Sequence, residues 1–540
     1  MFFIFSCTVL FRCDIIFEIF YEKKSLLMLI LKTISLKEQE SYKDKDILHI
    51  ILCQNAQQLK NVSTISLFSG QEFATLLEKE RYNFSFGEIK TVQLLHQNNM
   101  HHFLFAGIAK NDTHSMSVYF ELIRTLAGSV IHYARQKKIT ELYLRVDLDS
   151  EFALHQEKLI EIFVTAAGLK AYVFDCFMNK KEFQNFECCF RVTDGEKELY
   201  QRAFDKGLLV AQVVNFSRYL SDMPAGDMYP AHFVQTVIDK ISALSLTNST
   251  YQVLSLSEME SLGMGGIIGV GKGSVREPKM LILSYTPDFN SEKKTIALVG
   301  KGVTFDTGGI SIKPSDGMED MKADMSGGAA VVSAFLGLAR LKSPYTIHAI
   351  VPLAENMVDG NSYRPGDILT FYNKKTAEIK NTDAEGRLIL ADALSYTSDV
   401  LKPDIIIDLA TLTGAARIAL GPIYAGLMSE NSDLADAIVR AGEETYERCW
   451  RMPLEDAYKP NMASHVADMC NIGTKGYKAG TTMGGMFLRE FVPSDIRWAH
   501  IDIAPVATDC PNKTYFPSYG ATGFGVQLLI ELFETKKYFE

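Results

Sequence analysis

Four apolar runs in the second half of the chain, MLILSY, TIALVG, TIHAIVPLAEN and DIIIDLATL, are continuous rather than alternating. A strand with apolar residues on both faces must be covered on both faces, so such runs belong to a parallel or mixed sheet layered with helices. Helical patterns fall among them at 325–341 and 386–399, and another near 196–221 precedes a turn rich in breakers, SDMPAGDMYP. The first half repeats the theme on a smaller scale. DILHIILC, KITELYLRVDL and LKAYVFDCF read as short strands, with a helix over roughly 117–137. The expected fold class is α/β in two domains: a small amino-terminal α/β domain over 28–190 and a larger carboxy-terminal α/β domain over 191–540, built on a mixed, mostly parallel central sheet.

Residues 1–27 form an apolar leader of separate status. Arg12, Asp14, Glu18 and the Glu22-Lys23-Lys24 cluster interrupt it before a membrane-spanning length accumulates. It has neither a basic start nor a small-x-small cleavage site, so Met28 reads as lying near the true start and the leader as an extension, with an anchor as the alternative. Lys plus Arg number 55 against 65 Asp plus Glu, a net charge of −10. That balance argues against nucleic acid as the main partner. Nine cysteines, scattered and without a CxxC pair, suggest neither a disulfide framework nor a thiolate zinc site, and point to a cytoplasmic location.

Two features are decoys. Gly266-Ile-Ile-Gly-Val-Gly271-Lys272-Gly273 nearly matches a phosphate-binding loop, but glycine stands where Ser or Thr would hold magnesium, and no apolar strand precedes it. It is expected to be a glycine-rich turn. His101-His102 would point to opposite faces of a strand and is expected to be two surface histidines.

Chemistry concentrates elsewhere. Residues 300–325 read GKGVTFDTGGISIKPSDGMEDMKADM, directly after the strand TIALVG, and residues 381–388 read NTDAEGRL, directly before a helix. Together they supply Lys301, Asp306, Lys313, Asp324, Asp383, Glu385 and Arg387. Ligands of layered α/β sheets gather at the carboxyl ends of strands, where these segments lie. Carboxylate oxygens hold divalent ions, and two ions about 3.5–4 Å apart need several carboxylates. Asp383 and Glu385 diverge in an extended segment and converge in an irregular one, so spacing alone leaves coordination open. No HExxH is present and His348 lies on a strand, which excludes the common zinc-protease arrangement.

These two segments resemble the signatures of the leucine (leucyl or cytosol) aminopeptidase family, and NTDAEGRL is its most specific string. The resemblance extends over roughly 205–535 and includes GMGGIIGVGKGSVREPKMLILSY, YRPGDILT, DLATLTGA, GTTMGGMFLREFV, WAHIDIA and ATGFGVQLL, in that order. SDMPAGDMYP lacks the asparagines of the family's NxPPN segment, and Pro505 stands where glycine is common.

The resemblance implies a dinuclear metallo-exopeptidase, a hydrolase that removes the amino-terminal residue, leucine and other apolar residues, by means of a metal-bridged hydroxide. Its two ions per subunit would be zinc or manganese, with magnesium able to replace one. Lys301, Asp306, Asp324 and Glu385 would hold one ion, and Asp306, Asp383 and Glu385 the other. A lysine ligand must be a neutral amine, which neighbouring dications enforce. By the same resemblance Lys313 would polarise the scissile carbonyl, and Arg387 would hold a bicarbonate-like anion serving as general base. Thr411, Leu412 and Gly414 would border the substrate backbone, with Met321 and the Met483–Met486 stretch as candidates for the side-chain pocket. Peptides are the implied partners, and a homohexamer the implied assembly. A dipeptidase such as a cysteinyl-glycine hydrolase, a two-metal phosphoesterase, and a relative with an added nucleic-acid role are the alternatives.

Overall fold

In the computed structural model of the chain, each of the four continuous apolar runs forms a strand. The structure describes residues 29–33, 47–53, 55, 70–96, 99–108, 115–146, 155–179, 186–190, 197–246, 248–288, 294–473, 478–510, 513–516 and 518–539. The leader over 1–27 lies outside them. The chain divides into two compact units, residues 1–212 with 512–517, and residues 213–511 with 518–540.

The first unit holds β1 (Leu29–Thr33), β2 (Ile47–Cys53), β3 (Ile89–His96), β4 (Asn99–Gly107), β5 (Glu141–Val146) and β6 (Phe186–Phe190). They form one sheet in the order β1-β6-β5-β2-β4-β3, parallel except where β3 runs antiparallel to β4. Its helices include Gly70–Lys79, Met116–Lys137 and Gln156–Ala171. Two expectations need correction here. The run Leu169–Phe177 is not a strand. Helix Gln156–Ala171 carries its buried face, Leu159, Ile160, Phe163, Val164 and Ala167, on through Leu169 and Ala171, and Tyr172–Asp175 belong to no strand. His101 and His102 lie on β4 but both are buried. His101 lies beside the His49 ring, centroids 6.2 Å apart, while His102 Nδ1 is 3.0 Å from the Tyr133 hydroxyl.

The second unit adds β7 (Ser249–Leu254), β8 (Lys279–Tyr285), β9 (Thr295–Gly300), β10 (Gly302–Asp306), β11 (Thr346–Asn356), β12 (Ile368–Thr370), β13 (Thr376–Glu378), β14 (Ile405–Ala410), β15 (Ala425–Met428), β16 (Cys449–Arg451), β17 (Met469–Cys470) and β18 (Arg497–Asp502). The main sheet runs β16-β15-β18-β14-β9-β11-β8-β7, and β10 pairs beside the carboxyl half of β11. Its centre, β18-β14-β9-β11, is parallel, and antiparallel partners flank it. The mixed, mostly parallel sheet is therefore as expected.

Alternate residues of the central strands face opposite layers. Ala297, Val299, Ile350, Ala354, Ile406 and Ala410 join one apolar cluster with Leu388, Ile389, Leu390, Ala391, Ala393 and Leu394 of helix Gly386–Tyr396. Leu409, of opposite parity, reaches Gly525 beside Ala330 of helix Ser326–Arg340. That helix is buried from Ser326 to Ala339, as befits one apolar all round. Each fully buried Leu, Ile or Val contributes about 1.5–3 kcal/mol, so these two layers hold the sheet rigid under the loops at its carboxyl edge.

The glycine-rich segment after Met264 is also corrected. Gly265–Gly271 is a short helix, not a turn. A Cβ on Gly266 would stand 2.2 Å from the Leu388 carbonyl oxygen, so only glycine lets this helix lie against helix Gly386–Tyr396. Buried Asp392 joins the two, accepting from Ile267 N at 2.9 Å. Among the described residues no helix is long and apolar enough to cross a membrane.

His49, buried beside Phe103 and Tyr143, has its pKa pushed down to about 3, first by burial and then by His101 and His102. Unfolded, it titrates near 6.5. Stability is therefore full above pH 6.5 and falls as pH drops toward 3, by up to about 1.4 kcal/mol per unit from this group. Urea unfolding of the full chain at pH 7, 6 and 5 should show this loss, with His49→Phe flattening it.

Candidate metal centre

The seven charged residues singled out from the sequence lie on four pieces of backbone at the carboxyl edge of the parallel strands. Lys301 occupies the break between β9 and β10, its N–H donating to Leu409 O and its carbonyl accepting from Gly328 N. Asp306 ends β10, and Lys313 follows in the irregular loop, where its N–H donates to Thr307 O. Asp324 closes the short 3-10 turn Met318–Ala323, two residues before helix Ser326–Arg340. Asp383 and Glu385 lie in the turn that opens helix Gly386–Tyr396, with Glu385 as its N-cap and Arg387 in its first turn. Asp324 and Glu385 thus each sit at a helix amino terminus, where free N–H groups favour negative charge.

The side chains converge. Oxygens of Asp306, Asp324 and Glu385 lie within 4.8 Å of one another, and all three residues are buried. Lys301 Nζ donates to Asp324 Oδ1 at 2.8 Å, pairs with Glu385 Oε1 at 2.7 Å and donates to Thr411 O at 3.0 Å. Lys313 Nζ pairs with Asp306 Oδ2 at 2.9 Å and with Asp383 Oδ1 at 2.5 Å. The turn carrying Asp383 and Glu385 therefore does what an extended segment would not. It sends one carboxylate to each lysine.

Electrostatics match that packing. Burial, then Glu385, push the Asp306 pKa up to about 7 against the pull of Lys313 and Lys301. Burial also drives Asp324 well above the ordinary carboxylate range. Burial acts the same way on Glu385, but Lys301 and Lys313 outweigh it and hold the carboxyl below its usual value. Burial disfavours the Lys301 ammonium, yet Asp324, Glu385 and Asp306 outweigh burial and keep it charged. Lys313 is held charged in the same way, against burial and chiefly by Asp306.

Four carboxylates face two ammonium groups, and Asp324 Oδ2 is buried with no hydrogen-bond partner among the described residues. Excess buried negative charge and an undonated carboxylate oxygen fit a hard divalent cation, which takes oxygen ligands. The donor set of Asp306, Asp324, Asp383 and Glu385, with Lys301 as an amine, suits such ions.

Arg387 is buried, with Nη1 donating to Asn471 O at 2.9 Å and Nε lacking a partner among the described residues. Burial lowers its pKa to about 10, opposed by Glu385 and Asp502, so it stays a cation with an unused donor. Met321 lies in the 3-10 turn ahead of Asp324. Thr411 touches the cluster directly, its hydroxyl donating to Asp324 Oδ1 at 2.8 Å. Leu412 follows it, and Gly414 starts helix Gly414–Leu420. Met483 and Met486 belong to the buried apolar cluster on helix Gly480–Arg489, with no exposed face of note.

Three participants escaped sequence reasoning. Asn356 ends β11, and its Nδ2 donates both to Asp306 Oδ1 at 2.8 Å and to Thr382 O at 3.0 Å, tying the two carboxylate loops together. The Tyr363 hydroxyl donates to the same Thr382 carbonyl at 2.7 Å. Asp502 ends β18 and binds the loop after β14. A polar residue closing a long, mostly apolar strand was the available signal for Asn356; Asp502, at the end of the mixed strand RWAHID, and Tyr363 offered none.

A Cβ on Gly386 would stand 2.6 Å from Lys301 Cε and 2.8 Å from Nζ. Gly386→Ala should displace the amine and lower Mn2+ affinity at least tenfold in titration calorimetry, while the melting temperature shifts by only a few degrees.

Residues 215–530 match the model of the cytosol aminopeptidase family, catalytic domain. A probable cytosol aminopeptidase of Rickettsia canadensis (strain McKiel) is 37% identical over 459 residues, 84% of this chain and 89% of that protein. One of Rickettsia rickettsii (strain Sheila Smith) is 38% identical over 460 residues, 84% and 90% of the respective chains. Among solved structures, a tomato leucine aminopeptidase mutant superposes with a TM-score of 0.79 at 28% identity, covering 95% of this chain and 97% of its own. The bottromycin maturation enzyme BotP in complex with Mn gives a TM-score of 0.75 at 29% identity, covering 90% and 98%.

Proposed function

The chain belongs to the cytosol aminopeptidase family, and from that membership we propose that its carboxylate nest removes leucine and other apolar residues from the amino termini of peptides. It is a metal-dependent aminopeptidase, a hydrolase acting on peptide substrates with a divalent cofactor. The observation that carries the finer reading is the convergence of Asp306, Asp324 and Glu385 with Lys301 and Lys313 inside the matched segment.

In this reading residues 191–540 do the chemistry. Lys301, Asp306, Asp324 and Glu385 would hold one ion, and Asp306, Asp383 and Glu385 would hold the other, as zinc or manganese. Such ions supply Lewis acidity, lowering the pKa of a water and polarising a carbonyl. Lys301 must give up its proton to become a ligand. Lys313, partly exposed and held as an ammonium, donates a hydrogen bond to the scissile carbonyl oxygen and stabilises the oxyanion as it forms. Arg387 keeps a buried cation and an Nε–H with no partner among the described residues, which suits a bicarbonate-like anion acting as general base. Thr411, Leu412 and Gly414 border the substrate backbone, and Met321 is the candidate for contact with its side chain. A homohexamer in the cytoplasm completes the proposal.

Hydrolysis of leucine p-nitroanilide should disappear on chelation and return with Mn2+ or Zn2+. A folded, reloaded protein without activity would refute the reading. Lys313→Ala should lower kcat by about 10²–10³ with metal content unchanged. Asp383→Asn and Glu385→Gln should lose both metal and rate, and full activity in Arg387→Ala would remove the anion from the mechanism.

A further inference from the structure

Asp502 ends β18 opposite Ala410, the last residue of β14, so its side chain stands where the chain leaves β14 for Thr411–Gly414. It is buried, and that loop engages both of its oxygens. Oδ1 accepts from Leu412 N at 3.1 Å, Thr413 N at 3.4 Å and Ala504 N at 3.2 Å. Oδ2 accepts from the Thr413 hydroxyl at 2.6 Å. Thr413 in turn caps helix Gly414–Leu420, its hydroxyl accepting from Ala416 N. Consecutive N–H groups aimed at one carboxylate fix the peptide planes that carry them.

The other side of the loop faces the carboxylate nest. Thr411 O accepts from Lys301 Nζ, and the Thr411 hydroxyl donates to Asp324 Oδ1. The loop is thus clamped between the candidate metal ligands and Asp502. Burial raises the Asp502 pKa, and His500, the Thr413 hydroxyl and the Ala504 and Leu412 N–H groups pull against it. Two residues earlier on β18, buried His500 places Nδ1 2.5 Å from Asp408 Oδ1, while Trp498 Nε1 donates to Asp408 Oδ2 at 2.7 Å. Burial lowers the His500 pKa, but Asp408 beside it outweighs burial and raises it.

We propose that Asp502 is a positioning residue for substrate: it holds the Leu412 and Thr413 peptides in the orientation that presents Thr411–Gly414 to the peptide backbone, and it holds no metal itself. This rests on the assignment of that loop to the substrate side in the proposed function. Losing the carboxylate frees the Leu412 and Thr413 N–H groups and the Thr413 hydroxyl to turn the loop, which weakens substrate binding. The carboxylate nest keeps its own hydrogen bonds, so metal uptake and the chemical step continue.

The test uses the full chain reloaded with Mn2+, as wild type, Asp502→Ala, Asp502→Asn and Thr413→Val. Leucine p-nitroanilide gives KM and kcat, and calorimetry gives affinity for Mn2+ and for L-leucine. Asp502→Ala should raise KM and weaken L-leucine at least tenfold, with kcat within threefold and Mn2+ affinity unchanged. Asp502→Asn should recover most of that, because an amide oxygen still accepts from Leu412 and Thr413. Thr413→Val should shift KM in the same direction by less, and it decides the matter if the alanine variant fails to fold. An unchanged KM in Asp502→Ala or Thr413→Val, or equal loss of Mn2+ and rate in the Ala and Asn variants, overturns the inference while leaving the proposed function standing. A wild type that holds Mn2+ but neither binds L-leucine nor hydrolyses the substrate overturns both.

Discussion

A buried ammonium shared between two buried carboxylates governs the active edge of the second unit. Lys301 donates at once to Asp324, Glu385 and Thr411 O, which belong to three different segments of the chain. Such an arrangement is unfavourable unless its geometry is close to ideal, because the desolvation of each charge rivals their attraction. The sheet supplies that geometry. Lys301 is pinned by backbone bonds to the end of β14 and the start of helix Ser326–Arg340, and two apolar layers keep those elements in place.

Around this pair stands a ring of neutral or balanced polar groups that touch the carboxylates without competing for their charge. Asn356 spans Asp306 and Thr382, and Tyr363 holds the same carbonyl of Thr382. The Thr382 hydroxyl donates to Gly308 O and accepts from Ser311 N, closing the loop that carries Lys313. Asp502 does for the loop after β14 what Asn356 does for the two carboxylate loops. Each of these two sits at the end of a strand, so their positions follow from strand register rather than from flexible side chains.

The continuous apolar runs made the layered sheet legible, and the density of charge in 300–325 and 381–388 made the site legible as two segments. Their convergence was not readable from spacing, because whether Asp383 and Glu385 diverge or meet depends on the turn between them. In the structure they serve different lysines. Asn356 and Asp502 stayed hidden because a polar residue at the end of a strand looks like an ordinary boundary. Local reasoning also misjudged His101 and His102, whose opposite faces are both covered, and Leu169–Phe177, where a helix already under way outlasts the apolar run. In each case packing against a distant element decided what the neighbouring residues alone left open.

The two halves of the nest are anchored by different means, and this bears on how such a site can change. Lys301 and Asp306 lie on one line of backbone, β9 continuing into β10, and its hydrogen bonds to β11 set their separation. Asp383 and Glu385 hang on a turn fastened mostly by side chains, among them Asn356, Tyr363 and Asn381. Substitution can loosen or re-aim the turn one bond at a time, whereas moving the strand line would require a shift in sheet register. Changes in carboxylate spacing therefore have one adjustable jaw and one fixed jaw, and the adjustable one is the NTDAEGRL segment.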